Sequence, residues 1–294
     1  MPKLIPTEQI NPHTKNLDSL TPKQLARVIN REDFNAARAV KKAHKEIAAA
    51  VVLAAQTYAA KHKIIFIGAG TSGRLGVLEA VECVPTFSTR PSQIIGLIAG
   101  GKKAVFRSQE GAEDDAGQGA REITKHAKAN DLVIGLTASG RTPYVLGALA
   151  QAQALGARTI LVSCNAQAEV SHAQLHICLH TGPEVLSGST RMKAGTATKM
   201  ALNAITTGAM ALCAKTYGNL MVDVQPTNKK LLARAVRLIC LIAHTDEKTA
   251  ERLLTLSGKN VKTAVVMHCK KVDRGAAKRL LQKQKGVLKK VLDE

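Results

Sequence analysis

Residues 64–85 read IIFIGAGTSGRLGVLEAVECVP, and this stretch constrains the fold more than any other part of the chain. Residues 64–67 predict a short buried strand, residues 68–73 a glycine-rich turn, and the residues that follow have helical spacing. Where such a turn leads into a helix, free backbone N–H groups and the helix dipole favour an anion. Thr71 and Ser72 add hydroxyl groups to the turn. We therefore expect a phosphorylated ligand here.

The glycine spacing also matches the G-x-G-x-x-G pattern of dinucleotide-binding folds, through Gly68, Gly70 and Gly73. That fingerprint places an acidic residue about 20 residues further on, at the end of the second strand, where it binds a ribose hydroxyl. The second predicted strand covers residues 94–98 and is followed by Ala-Gly-Gly at residues 99–101. Because no acidic residue stands there, the pattern argues against a nucleotide cofactor.

Short apolar runs alternate with helical segments between residues 63 and 179. Continuous apolar runs, rather than strict alternation, are typical of parallel strands that are covered on both faces. Five runs predict strands, at residues 64–67, 94–98, 132–137, 159–163 and 175–179. Helices are expected near residues 75–83, 117–129 and 142–155. The pattern predicts a doubly wound α/β domain whose ligand site lies at the carboxyl ends of the strands.

Composition divides the chain into three parts. Residues 1–60 indicate an irregular arm, a helix that starts at Pro22 and a longer helix near residues 35–61. Residues 61–225 form the predicted sheet domain, which a long helix near residues 195–217 closes. Residues 226–294 predict a basic helical subdomain. Its Lys and Arg residues fit a solvated face, or a surface for nucleic acid or another anionic partner.

The net charge of +20 fits a phosphorylated substrate and also fits nucleic acid. Aromatic residues make up only 2% of the chain and Trp is absent, so the stacking surfaces that bind single-stranded nucleic acid are scarce. We therefore expect a small phosphorylated molecule as the partner, rather than nucleic acid.

Several features predict a cytoplasmic protein without a membrane segment. The six cysteines are scattered and form no C-x-x-C pair, which indicates free thiols in a reducing compartment. Residues 1–14 are polar and contain proline, so we expect no secretory signal. No apolar run approaches the length of a membrane span. The nine His residues show no metal-binding spacing, and we expect no metal site.

Two further loops combine hydroxyl groups, glycine and cations. Residues 137–143, TASGRTP, follow the third predicted strand and lead into a helix. Four of them are candidate phosphate ligands: Thr137, Ser139, Arg141 and Thr142. An ordinary helix cap needs only one of these hydroxyl groups. Residues 183–196, PEVLSGSTRMKAGT, have a similar mixture, and we expect them to form a wall of the substrate site.

Carboxylates cluster in two places. Glu79 and Glu82 lie three residues apart, on one face of the helix after the glycine turn. A second, acidic cluster follows the second strand: Glu110, Glu113, Asp114 and Asp115. This cluster fits the acidic first turn of a helix, and one of its members could equally share acid–base chemistry with Glu82. The spacing alone does not choose among the four.

Four segments in a fixed order carry a resemblance to a known family: GAGTSGRLGVLEAVECVPTF, EGAEDD, ASGRTPYV and PEVLSGSTRMKAGTA. Together they resemble the N-acetylmuramic acid 6-phosphate etherases, which are sugar-isomerase (SIS) domain proteins. The similarity includes GNLMVDV at residues 218–224. It implies an SIS-type, flavodoxin-like sheet of five parallel strands and a homodimer. It also implies cleavage of a lactyl ether to give N-acetylglucosamine 6-phosphate and D-lactate, with no cofactor.

The resemblance also implies roles for individual residues. The two acid–base glutamates of the family fall on Glu82 and Glu113, which we assign as the acid toward the lactate oxygen and the base at C2. The pair is better supported than the order within it. Phosphate contacts are expected from Ser139 and Thr142. The remaining sugar contacts are expected from Ser72, Ser187 and Ser189, with charge from Arg141 or Lys193.

Three other functions have related sequence features. A non-catalytic sugar-phosphate sensor similar to glucokinase regulatory protein would have two tandem SIS domains, and this chain has room for one. A DNA-binding regulator would need a helix-turn-helix module before residue 63, where none is evident. An aldose–ketose isomerase would release no lactate.

Overall fold

The computed structural model describes residues 4–294, so residues 1–3 of the predicted arm lie outside the described part of the chain. The described residues form two compact units. The first comprises residues 4–81 and 91–207, and the second comprises residues 82–90 and 208–294. Each unit contains an apolar cluster of its own.

A parallel sheet forms the centre of the first unit, as the sequence predicted. In the described chain its five strands are β1 (Ile64–Gly68), β2 (Ile94–Ile98), β3 (Leu132–Leu136), β4 (Arg158–Ser163) and β5 (Leu175–Cys178). They lie in the order β2-β1-β3-β4-β5, and all neighbours are parallel. The fully buried strands β1 and β3 are adjacent, with Gly68 opposite Leu136. Because the strand order reverses at this pair, the loops after β1 and β3 border a crevice.

Helices flank this sheet. In chain order they are α1 (Pro22–Lys42), α2 (His44–Ala59), α3 (Gly70–Phe87), α4 (Lys102–Phe106), α5 (Ala116–His126), α6 (Pro143–Ala154) and α7 (Lys193–Leu212). Short 3₁₀ helices lie at Pro6–Glu8, Leu17–Ser19 and Ala112–Asp114. The last residues of α3 and of α7 fall in the second unit.

The N-terminal helices differ from the expectation in one respect. α1 starts at Pro22 as predicted, and Thr21 and Gln24 form a reciprocal capping box there. The single helix expected near residues 35–61 is instead the second half of α1 and the whole of α2, separated at the buried Ala43. No glycine or proline marks this break, so the sequence pattern contained no signal for it.

β1 and α3 approach each other so closely that Gly68 and Gly73 of the turn both have to be glycine. A Cβ on Gly73 would lie 2.6 Å from the carbonyl oxygen of Gly68, and one on Gly68 would lie 2.8 Å from the nitrogen of Gly73. The Gly73 N–H donates to the Ala69 carbonyl at 3.1 Å, so the glycine turn is also the first turn of α3. Thr71 and Ser72 therefore lie at the carboxyl end of β1.

The second unit is helical, as predicted for the C-terminal part. Its helices are α8 (Lys229–Ala243), α9 (Glu247–Leu256), α10 (Val261–Lys270), α11 (Arg274–Lys283) and α12 (Leu288–Asp293). Asp223 lies in the connection before α8, and its carboxylate is 2.9 Å from the ammonium groups of Lys215 and of Lys262 on α10. Among the described helices of the whole chain, none has the length and apolar character needed to cross a membrane.

Candidate active site

A cleft of about 410 Å³ opens where the loops after β1 and β3 meet. All of its lining residues belong to the first unit. Thr71 and Ser72 line it from the turn after β1, and Glu113 lines it from the loop before α5. The loop between β3 and α6 contributes all four of its candidate ligands: Thr137, Ser139, Arg141 and Thr142. The structure therefore brings the predicted phosphate ligands together with one of the predicted carboxylates.

The loop between β3 and α6 presents a cluster of hydroxyl groups at a helix N-terminus. The Thr137 Oγ1 atom lies 2.8 Å from Thr142 Oγ1 and 3.2 Å from Ser139 Oγ. The Thr142 side chain faces Thr137 and accepts no hydrogen bond from the first turn of α6. Three hydroxyl groups, the dipole of α6 and the nearby Arg141 together suit a phosphate group.

Two residues hold this loop in its shape. Gly140 has φ +71°, and a Cβ on it would lie 2.3 Å from the Cβ of Ala168, so no other residue fits without rearrangement. The buried Asn165 donates from its side-chain amide to the Ser139 carbonyl at 2.9 Å. The hydroxyl cluster is therefore preorganised by its surroundings.

The four acidic residues at 110–115 have different environments. Glu113 and Asp114 line the cleft. Asp115 caps α5 by accepting a backbone hydrogen bond at 2.7 Å, and Glu110 accepts one from a serine hydroxyl at 3.0 Å. Geometry thus selects Glu113 and Asp114, a choice that the spacing left open. Within residues 4–294, no three His, Cys, Asp or Glu side chains are grouped so that they could hold a metal ion.

Glu79 and Glu82 also differ in environment. Glu79 is buried on α3, where its carboxylate accepts hydrogen bonds from Asn203 and Thr206 of α7. Glu82 lies in the segment of α3 that belongs to the second unit, and its side chain is exposed. Glu79 therefore joins two helices of the first unit, whereas the role of Glu82 stays a prediction from the resemblance.

The predicted wall at residues 183–196 lines the cleft through Gly188 and Thr190. The hydroxyl of Ser187 instead donates toward two backbone carbonyls of the N-terminal arm, at 3.2 and 3.3 Å. Ser189 is half-buried and is not one of the described residues that line the cleft. Gly188 and Thr190 thus form this part of the lining, and Ser187 contacts the arm, so the substrate contacts of Ser187 and Ser189 stay predictions.

Lys193 departs furthest from the expectation of a charged substrate contact. Its side chain is only 1% exposed, and its ammonium nitrogen lies 2.7 Å from a carboxylate oxygen of Glu32 on α1. Burial raises the pKa of Glu32, but hydrogen bonds from Lys193 and Asn11 outweigh this effect and hold the pKa below its ordinary value. The backbone N–H groups of Lys193 and Ala194 both donate to the buried carboxylate of Glu184, at 3.0 and 2.9 Å. Lys193 thus belongs to a buried ion pair behind the cleft wall.

Known proteins resemble this chain over nearly its full length. The N-acetylmuramic acid 6-phosphate etherase of Microcystis aeruginosa is 48% identical over 288 residues, which cover 97% of this chain and 94% of the relative. The enzymes of the same name from Rhodopirellula baltica and Oenococcus oeni are each 46% identical, over 97% and 98% of this chain and 95% and 98% of theirs. This chain belongs to the N-acetylmuramic acid 6-phosphate etherase family.

Domain models agree with this assignment. The SIS domain model matches residues 114–208, and the model of the glucokinase regulatory protein N-terminal SIS domain matches residues 46–153. The two matches together cover every strand of the sheet. The etherase family member described here therefore has the SIS-type fold that the sequence predicted.

The cleft of this etherase family member contains residues that the sequence analysis did not single out. Thr7 and Glu8 of the N-terminal arm line it, and Asn165, which follows β4, donates to the loop between β3 and α6. Ser187 and Glu8, which are in contact, lie 179 residues apart in the sequence. No local pattern encodes a contact at that separation, so nothing in the arm marked it as part of a site.

Proposed function

We propose that this protein cleaves the D-lactyl ether of N-acetylmuramic acid 6-phosphate, giving N-acetylglucosamine 6-phosphate and D-lactate. The observation that carries the proposal is the match over nearly the full chain to enzymes of that name. The geometry agrees with it, because one cleft joins a preorganised phosphate loop to a carboxylate. A sugar-phosphate sensor without catalysis is the alternative.

The substrate phosphate binds the loop between β3 and α6. Ser139 and Thr142 contact it through their hydroxyl groups, with Thr137 supporting both. Arg141 is exposed on the same loop and supplies positive charge. Thr71 and Ser72, at the start of α3, bind the sugar. This arrangement holds the substrate by its phosphate and leaves the carbon chain along the rest of the cleft.

The reaction is an elimination followed by an addition of water. In the open-chain aldehyde, the carbonyl acidifies the C2 proton, and Glu113 removes that proton as the base. The bond between C3 and the lactate oxygen then breaks, and Glu82 protonates the departing oxygen. Water then adds its hydroxyl group to C3 of the unsaturated aldehyde. A proton is returned to C2 and replaces the one that the base removed. Two carboxyl groups, one acting as base and one as acid, are sufficient for these steps.

The active form is a homodimer, and it works in the cytoplasm. Leu78 and Val81 on α3 support the first statement. These large apolar residues are 47% and 60% exposed in the single chain, and a second copy of the chain would cover them. The six cysteines support the second, since none is paired in a disulfide in the described structure.

The test is incubation of the purified protein with N-acetylmuramic acid 6-phosphate in deuterated water, followed by proton NMR. We expect release of D-lactate and deuterium at C2 of the sugar. Glu113→Ala should abolish both, whereas Glu82→Ala should still exchange the C2 proton but release no lactate. The opposite pattern would reverse the two roles.

A lack of lactate release by the wild-type protein would contradict the etherase proposal. Saturable binding of N-acetylglucosamine 6-phosphate by the same inactive sample would then favour the sensor. Asp115→Asn is the matched control, because Asp115 caps α5 and should leave the chemistry unchanged.

A further inference from the structure

Within its described residues, the N-terminal arm contacts the wall of the cleft at several positions. The N–H of Gly188 donates to the Thr7 carbonyl at 3.1 Å. Further along, the Asn11 side-chain amide donates to the Pro183 carbonyl at 3.3 Å, and the Thr14 hydroxyl to the carbonyl of Val185 at 2.8 Å. The arm therefore follows residues 183–188 as an ordered part of the first unit.

The anchor of the arm continues into the buried interior. Asn11 is only 4% exposed, and its side-chain amide also donates to Glu32 at 2.8 Å. Glu32 is the partner of Lys193. One buried network thus joins Asn11 of the arm, α1 and the start of α7, and it fixes the arm close to Thr7 and Glu8.

Thr7 is one of the cleft-lining residues, and its buried hydroxyl group has no partner among the described residues. The residue is 1% exposed, and its Oγ1 atom has no hydrogen-bond partner among residues 4–294. A buried hydroxyl without a hydrogen bond is destabilising. Rotation of the Thr7 side chain toward the cleft would let a ligand there supply the missing partner.

Glu8 adds a carboxylate to the same wall. It lines the cleft, and one of its oxygens would lie 2.9 Å from a Cβ on Gly188, so the absence of a side chain at Gly188 leaves room for this carboxylate. An ionised carboxylate only accepts hydrogen bonds. Of the groups on the proposed substrate, it repels the phosphate and the lactyl carboxylate, and it attracts the sugar hydroxyl and amide N–H groups.

We propose that Thr7 and Glu8 form a substrate subsite that binds the uncharged hydroxyl and amide groups of the phosphorylated amino sugar. This inference rests on the proposed function for the identity of the sugar. The subsite orients the carbon chain while the loop between β3 and α6 holds the phosphate. Thr7 and Glu8 thus distinguish an amino-sugar phosphate from a simple phosphate ester.

The experiment compares Glu8→Gln and Thr7→Val with the wild-type enzyme. Loss of a hydrogen bond to a charged group predicts a rise in KM of about tenfold or more for Glu8→Gln. The kcat should change less than KM, and its pH profile should keep its shape. Asp18→Asn is the matched control, because Asp18 lies on the same arm but does not line the cleft.

Thr7→Val separates binding from a structural role. Valine has nearly the same shape without the unpartnered hydroxyl, so the thermal midpoint of the free protein should be unchanged or higher while KM rises. A lower midpoint with an unchanged KM would assign Thr7 to the fold and overturn its part of the proposal.

The two proposals fail in different ways. An active wild-type enzyme whose Glu8→Gln variant keeps its KM would overturn the subsite and leave the etherase intact. A shifted pH profile with unchanged KM would place Glu8 in proton transfer and also overturn the subsite. If the wild type releases no lactate, calorimetry with N-acetylglucosamine 6-phosphate still tests the subsite, since Glu8→Gln should weaken this binding about tenfold.

Discussion

The ion pair between Glu32 and Lys193 is the residue-scale feature with the largest expected effect on stability. Removing one partner of a buried pair leaves the other charge uncompensated, and this typically costs about 3–5 kcal/mol. We expect Lys193→Met to lower the free energy of unfolding by roughly this amount in urea denaturation. The double variant, Lys193→Met with Glu32→Gln, should recover a large part of the lost free energy of unfolding. A single variant as stable as the wild type would contradict the role of the pair.

The same pair has a defined pH dependence. The pKa of Glu32 in the folded protein is held below its ordinary value of 4.5. Its contribution to the free energy of unfolding is therefore fully present above pH 4.5 and is lost as the pH falls through the folded pKa. The difference in unfolding free energy between the wild type and the double variant should therefore shrink below pH 4.5. Glu184 acts in the opposite direction, since burial raises its pKa and its contribution is lost as the pH rises.

At the scale of elements, the connection between β3 and α6 depends on one glycine. We expect Gly140→Ala to push the loop away from Ala168, to lower stability by more than about 2 kcal/mol and to raise KM for the phosphorylated sugar. Gly182→Ala is the matched control, because Gly182 has φ +70° but no atom within 4 Å of the added Cβ. This control variant should lose about 1 kcal/mol of unfolding free energy and keep the KM of the wild type. Equal KM values in the two variants would contradict this account.

The elements also show what local sequence could predict. The strands were predictable because each is a short apolar run between turn residues. The clustering of hydroxyl groups between β3 and α6 was predictable because several of them follow a strand end, whereas their binding of phosphate stays a prediction. The ion pair was not, because Lys193 and Glu32 lie 161 residues apart and a lysine in a polar loop is ordinarily exposed. Glu8 was not predicted for a similar reason, since its contact Ser187 lies 179 residues away in the sequence. The same applies to the neighbouring Thr7. Glu113 emerged from the acidic cluster only through the resemblance, and geometry later placed it in the cleft.

At the scale of the whole molecule, the proposed dimer makes a simple prediction. Val81→Asp would place a charge on an apolar face of α3 that is exposed in the single chain. We expect this variant to elute as a monomer near 31.2 kDa in light-scattering chromatography, with the wild type at twice that mass. Leu256→Asp, at an exposed leucine of α9, is the control and should leave the mass unchanged. A monomeric wild type would contradict the dimer.

The attachment of the arm to residues 183–188 has a consequence for synthesis on the ribosome. The arm leaves the exit tunnel before the cleft wall is synthesised, because Ser187 follows its contact Glu8 by 179 residues. At a synthesis rate of about 5–20 residues per second, Ser187 is added roughly 10 to 40 seconds after Glu8. During this interval Ile10, which remains 72% exposed even after folding, is available to other chains and to chaperones. The wall of the cleft is thus among the last parts of the first unit that a nascent chain can complete.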